Sequence, residues 1–452
     1  MTATTPHLKR ALGLRSLVLF GLAYMAPLIV LGTFGVVATV SKGATAGAYI
    51  LALIAMLFTA SSYGRMAAAY PVSGSAYTYV GKVVDIRAGF LVGWAVMLDY
   101  MFLPMVIWLI GAAFLKQAAP SVPSWVWIVA FIVVTTGLNI LGIKVADKAN
   151  FALMTFEILV LVIFVVLSIM NVIAGGHGMT LDPFTNPDSS FTAISGGAAI
   201  AAYSFLGFDA ITTFTEETRN PTKTVPRAIL LVALIGGIIF VVVAYSTQLV
   251  HPGFHFADES SAAFEIAAKI GGSLFSAVFL AGLVVTQFAS GIAAQASASR
   301  LLFAMGRDGV LPKRIFAQIS KKFQTPVLSL LVIGVIGFIA LFLDVATSTS
   351  FINFGAFTAF TMVNVSVVFY YFRQRRAGVH TNVVLYLIAP IVGAIITLYL
   401  LTQLDMDALI LGSSWLVLGI IVLAVLTHGF RRRPPEMDYV EVEDEELQAV
   451  AQ

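Results

Sequence analysis

Cysteine is absent from all 452 residues, which excludes a disulfide framework, a thiolate metal site and a cysteine nucleophile. Charge is scarce as well. Asp, Glu, Lys and Arg make up 11% of the chain, against about 25% in a soluble globular domain. Histidine is sparse and scattered: His7, His177, His251, His255, His380 and His428 fall in loops or at the ends of apolar runs. His251 and His255 have helical spacing, but Pro252 and Gly253 between them argue against a helical metal pair. These absences tell against an integral-membrane enzyme, and no ring-forming filter motif points to a channel. No cofactor, metal or nucleic-acid partner is expected.

What remains is apolar. Hydrophobic residues make up 59% of the chain and the mean hydropathy is +0.95, so the chain belongs in a lipid bilayer. The first fifteen residues are polar and basic. The apolar stretch after them is too long for a signal peptide and lacks a small-residue cleavage pattern, so it reads as a retained first span.

Runs of about 20 apolar residues, the length that crosses the hydrocarbon core, occur at 16–40, 44–68, 86–115, 124–142, 149–174, 192–216, 226–250, 272–304, 326–343, 349–372, 382–402 and 408–430. An all-α polytopic membrane protein of twelve spans is therefore expected. If the N-terminus is cytoplasmic, all of the 26 Lys and Arg except Lys42, Lys116 and Lys269 fall in inner segments. Retention of positive loops in the cytoplasm predicts that asymmetry and places both termini inside. The organisation expected is a cytoplasmic N-terminus over 1–15, a transmembrane domain over 16–430 and a cytoplasmic tail over 431–452. The tail turns from Arg431, Arg432 and Arg433 to an acidic run from Glu441 to Glu446, which reads as a solvated end.

Three carboxylates fall inside spans: Asp99 in the third, Glu157 in the fifth and Asp209 in the sixth. No Lys or Arg sits deep in a span to pair with them. Such an acid is protonated, hydrogen-bonded to backbone or hydroxyls, or waiting for a cation. Two spans look interrupted. The first carries Ala26-Pro27 and then Gly32-Thr33-Phe34-Gly35; the sixth carries Gly196-Gly197 and Ser204 to Asp209. Proline removes a backbone donor and glycine weakens a helical turn. The first span of each five-span half is thus broken, the pattern of an inverted-repeat secondary transporter with a midplane site. Close packing of membrane helices is the plainer account of the glycines.

Phe205-Leu-Gly-Phe-Asp209, then Glu216-Glu217-Thr-Arg-Asn-Pro221 and Val225-Pro226-Arg227-Ala-Ile229, resemble the sixth-helix signature of the amino acid-polyamine-organocation superfamily. Ser299 to Pro312 resembles its signature after the eighth helix, and Tyr70 to Tyr79 its loop after the second. Within the superfamily, Gly21-Leu-Ala-Tyr-Met25, Leu98-Asp-Tyr-Met-Phe-Leu-Pro104 and Phe351-Ile-Asn-Phe-Gly-Ala356 look most like bacterial putrescine importers. The resemblance implies a LeuT-like fold of two inverted five-helix repeats, 16–174 and 192–372, with two further helices over 382–430. It also implies import of an amine or amino acid coupled to protons across the inner (cytoplasmic) membrane. Two departures stand out. Putrescine importers carry an aspartate where this chain has Leu31-Gly32-Thr33, and relatives place lysine or glutamine at the position of Glu157.

A diamine needs acceptors at both ends, and Asp99 and Asp209 supply two anions; Tyr24, Tyr100, Tyr203 and Phe208 offer aromatic faces to an alkyl ammonium. An α-amino acid instead needs donors for its carboxylate, which free N–H groups around Gly32, Thr33 and Gly35 would provide. The amine ranks first and the amino acid second, with exchange or a receptor-like sensor as further alternatives. Glu157 is the candidate for proton coupling. Glu216, Glu217 and Arg219 are candidates for an inner gate of ion pairs, or form a solvated loop. Thr286, Gln287, Ser290 and Gln295 make a polar stripe on the eighth span, facing either a cavity or a neighbouring helix. The oligomeric state is left open.

Overall fold

A computed structural model describes residues 12–71, 76–142, 147–175, 178–215, 217–307, 309–320, 322–323 and 325–434. Most of the expected N-terminal segment and of the tail, Glu216, and residues 72–75 of the Tyr70–Tyr79 motif lie outside them. The described residues are helical, with one isolated bridge between Leu12 and Thr218. In chain order the helices are α1 (Leu14–Met25), α2 (Ile29–Ser41), α3 (Thr45–Ala69), α4 (Ala76–Val83), α5 (Ile86–Ala118), α6 (Ser124–Ile140), α7 (Asp147–Ala174) and α8 (Phe191–Ala201). Then come α9 (Pro221–Val250), α10 (Ala262–Arg307), α11 (Lys313–Phe316), α12 (Val327–Gly337), α13 (Val345–Arg376), α14 (Ala389–Thr402) and α15 (Met406–Leu426). Among the described residues nine helices are long and apolar enough to cross a membrane, and α1 with α2 forms a tenth as one span bent by 50°. Two shorter apolar helices, Ser124–Ile140 and Val327–Leu341, accompany them. The chain is a polytopic helical membrane protein.

Local chemistry sets the ends of these helices. Asp85 caps α5 by accepting from Arg87 N at 2.7 Å, Ser190 caps α8 through Ala193 N at 3.1 Å, and Asp344 caps α13 through Thr347 N at 2.7 Å. Each satisfies a donor that the first turn leaves unpaired. Three helical pieces have no counterpart among the apolar runs: α4, α11, and residues 262–271, which Gly272 separates from the rest of α10 at φ +67°.

Burial separates centre from rim. The segment Phe191–Phe214 is 78% buried, whereas Met406–Leu426 is 17% buried, so the sixth span lies at the heart of the bundle and α15 on its lipid face. The exposed side chains of α14 and α15 are mostly aliphatic, such as Ile395 and Val425, as suits a hydrocarbon solvent. At the rim, α15 docks on α5 through a reciprocal pair: Trp94 Nε1 donates to Trp415 O at 2.9 Å and Trp415 Nε1 to Trp94 O at 2.8 Å. The two indoles stack 5.1 Å apart.

Candidate functional site

The first break lies at Ala26-Pro27-Leu28. Proline has no N–H and disfavours helical backbone in the residue before it; Ala26 accordingly turns to φ +45°. Turns close part of the gap, with Ile29 N bonded to Ala26 O at 2.9 Å. The Leu28 N–H is met from another helix, 129 residues away: Glu157 Oε1 on α7 accepts it at 2.8 Å. Glu157 is buried, so a carboxylate stands at the N-terminus of α2, where the helix dipole favours an anion. Gly32, Thr33 and Gly35 were expected to frame the break with free N–H groups. Instead they lie inside α2, because the interruption falls at the proline; Gly35 remains helical and abuts the Glu259 carbonyl, which leaves no room for a Cβ.

The second break follows α8. The chain tightens into a 3₁₀ turn over Ala202–Phe205, extends at Leu206, passes through Gly207 at φ +106° and resumes as a 3₁₀ turn over Asp209–Phe214. Gly207 is required twice: its φ disfavours any side chain, and a Cβ would enter the Tyr24 ring at the end of α1. The two breaks therefore touch. Asn353 of α13 anchors the inner end of α8, its Nδ2 donating to Ala199 O at 2.7 Å and Ile200 O at 3.4 Å. Tyr49 of α3 joins the breaks through hydroxyls, 3.1 Å from Ser204 Oγ and 3.4 Å from Thr33 Oγ1.

A cavity of about 260 Å³ opens beside these breaks. Its wall includes Ile29, Glu157, Tyr24, Tyr203, Met154 and Ser297. That is near the lower bound of small-molecule sites and suits a short aliphatic ligand. Thr286, Gln287 and Ser290 of the polar stripe face it. Gln295 does not; it donates to Thr136 Oγ1 at 2.7 Å and to Leu330 O at 3.2 Å, and accepts from Asn139 at 3.0 Å, tying α10 to α6 and α12.

Asp99 and Asp209 are not among the residues that line this cavity. Tyr203 lines it and senses the Asp99 charge, and the two carboxylates sense each other. Both are half-buried within the bundle. Backbone N–H groups of Gly207 and Ala210 point at Asp209. Asp99 Oδ1 is buried without a hydrogen-bond partner. Among the described residues neither acid has a Lys or Arg beside it. Tyr100 belongs to the same electrostatic group. Phe208 is fully buried against Tyr63 and Phe360, at 5.8 Å and 5.3 Å between ring centres, and forms wall, not cavity.

Ahead of α1, Leu12 N donates to Glu217 O at 3.0 Å and Arg219 N to Leu12 O at 2.9 Å. The chain's start is thus clasped by backbone to the segment that carries Glu217 and Arg219. Tyr49, Tyr63, Tyr79 and Asn353 were not singled out from the sequence; each is a polar residue in an apolar run or motif, and that was the available signal.

The sequence matches the amino acid permease family over residues 17–429. It is 37% identical to the low-affinity putrescine importer PlaP of Escherichia coli strain K12, over 96% of this chain and 97% of that protein. Identity is 25% to the branched-chain amino acid permease BcaP of Bacillus subtilis strain 168, over 93% and 94% of the two chains. It is 26% to cationic amino acid transporter 4 of Mus musculus, over 81% of this chain and 60% of that one.

Proposed function

The chain belongs to the amino acid permease family, and from that premise we propose that it imports putrescine or a related amine across the cytoplasmic membrane by alternating access, coupled to protons. The observation that carries this reading is the pair Asp99 and Asp209, two half-buried carboxylates in membrane-spanning segments with no Lys or Arg beside them among the described residues. A cationic substrate supplies the missing charge. Its alkyl chain lies along the cavity wall at Leu103, Ile107 and Leu206, between Tyr24 and Tyr203.

The fold proposed is twelve spans, counting the bent first span and the two shorter helices with the nine long ones. Residues 16–174 and 192–372 form inverted repeats, 382–430 add two helices, and 1–15 and 431–452 lie in the cytoplasm. In support, each broken span is held at its break by the fifth helix of its own half: α7 through Glu157, and α13 through Asn353.

Glu157 couples the proton. It lines the cavity and holds the hinge of the first span, so its protonation state reaches both the site and the moving element. The clasp of Leu12 with Glu217 and Arg219 is the inner gate, which separates when α1 swings outward. The membrane potential adds a drive of its own: a charge gains about 2.3 kcal/mol per 100 mV, and a dication twice that. The amino acid alternative is weaker, because Glu157 already takes the Leu28 N–H that a substrate carboxylate would use. The test is uptake into proteoliposomes of labelled diamines, monoamines and amino acids, each repeated with the pH gradient collapsed. Saturable diamine uptake that falls without the gradient supports the proposal; uptake of amino acids alone refutes it.

A further inference from the structure

Three buried polar atoms near Asp209 make no hydrogen bond: Tyr63 Oη, Tyr79 Oη and Asp99 Oδ1. Groups left this way cost free energy, and in a native fold they call for an explanation such as a missing water, ion or ligand. Both tyrosines are fully buried and in edge contact, 6.2 Å between ring centres. They come from different elements, Tyr63 from α3 and Tyr79 from the short helix α4. Both sense the Asp209 charge; the Tyr63 hydroxyl lies toward that carboxylate and the Tyr79 hydroxyl toward the Thr212 side chain, neither in good hydrogen-bond geometry.

We propose that Tyr63 and Tyr79 complete an ammonium-binding cup with Asp99 and Asp209, which holds one end of the amine. This rests on the amine reading above and adds two residues to it. A primary ammonium has three donors and no acceptor. The cup offers it two carboxylates and two phenolic oxygens, and the two aspartates keep part of their surface accessible. Each phenol accepts from the ammonium through oxygen and keeps its own proton for a carboxylate, so the unpaired atoms are satisfied together when the amine arrives. A substrate carboxylate would instead meet two anions.

The signs of two effects separate this from a structural role. Tyr63→Phe and Tyr79→Phe keep the rings and remove only hydroxyls that lack partners in the empty protein. The melting temperature of each purified full-length variant without ligand is expected to stay level or rise by about a degree or more, while its Kd for putrescine by calorimetry rises about tenfold or more. Wild-type protein that binds putrescine, with both variants binding it equally well, overturns the cup and leaves the amine reading standing. Wild-type protein that binds no amine overturns the reading and the cup with it. Variants that lose stability and keep their putrescine affinity also overturn the cup, since the hydroxyls then serve the fold.

Discussion

Replacing Glu157 tests the coupling of proton to hinge. In the ionised state its 2.8 Å bond from Leu28 N is charge-assisted and contributes about 1.5–3 kcal/mol. The anion also gains about 0.3–1 kcal/mol from the N-terminus of α2. A neutral acceptor keeps only about 0.5–1.5 kcal/mol. Protonation, or Glu157→Gln, therefore loosens the hinge by about 1–2 kcal/mol, a roughly five- to thirtyfold shift in the balance between held and released states of the first span. Glu157→Ala is harsher: it strands the buried Leu28 N–H at about 1–3 kcal/mol and opens a void besides. In proteoliposomes the Gln variant is expected to bind and exchange substrate while net uptake no longer responds to an inward proton gradient. The Ala variant should melt several degrees lower in detergent. If Glu157→Gln retains the full response to the gradient, Glu157 is not the coupling group; if Glu157→Ala melts with wild type, the bond does not hold the break.

Asp99→Asn and Asp209→Asn should each weaken putrescine uptake at least tenfold, about 1.4 kcal/mol or more for a lost charge-assisted contact, and unchanged uptake in both would remove the site from this region. Gly207→Ala forces a side chain into positive φ and against Tyr24; about 1–3 kcal/mol of strain should leave a folded protein with transport lowered severalfold or more, read by initial uptake rates. Asn353→Asp keeps the shape but replaces the donor to Ala199 and Ile200 with an acceptor, and a stability loss of about 1–3 kcal/mol should appear as a lower melting temperature. Trp415→Phe removes one arm of the reciprocal pair with Trp94; it should cost about 1 kcal/mol of stability and leave substrate affinity untouched, because no residue of α15 lines the cavity.

Much of this was legible in one dimension. Length and apolarity mark a membrane span without any knowledge of its neighbours, so the run at 44–68 and helix Thr45–Ala69 nearly coincide. Pro27 and Gly207 could be read because their effects are local: a missing donor and a permissive φ. Asp99, Glu157 and Asp209 stood out because a carboxylate in an apolar run is costly wherever it lies. The partners of these groups could not be read, since they are set by packing across long separations; Asn353 meets Ala199 at a distance of 154 residues. Tyrosine in a membrane helix carries no mark that separates a packed ring from a phenol aimed at a charge, so Tyr63 and Tyr79 passed unnoticed beside Tyr100. The polar stripe of α10 shows the same limit: periodicity put four residues on one side, but the turn of the helix gives three to the cavity and Gln295 to α6 and α12. Helix α4 was missed for a different reason, being too short to make an apolar run.

The two breaks pose opposite chemical problems, which explains the residues that hold them. Interrupting a helix strands N–H groups on the half that follows and carbonyls on the half that precedes. In the first span the half that needs holding is α2, which begins at the break, so its helper must accept; in the sixth it is α8, which ends at the break, so its helper must donate. Glu157 is an acceptor and Asn353 Nδ2 a donor. Each break orphans both kinds of group; the acceptor Glu157 serves the half that follows the first, and the donor Asn353 the half that precedes the second. Only the acceptor can change its strength by binding a proton. A titratable hinge is therefore available at the first break and not at the second, so the start of α2 should be the part that loosens when Glu157 is neutral, while Asn353 keeps its hold on α8.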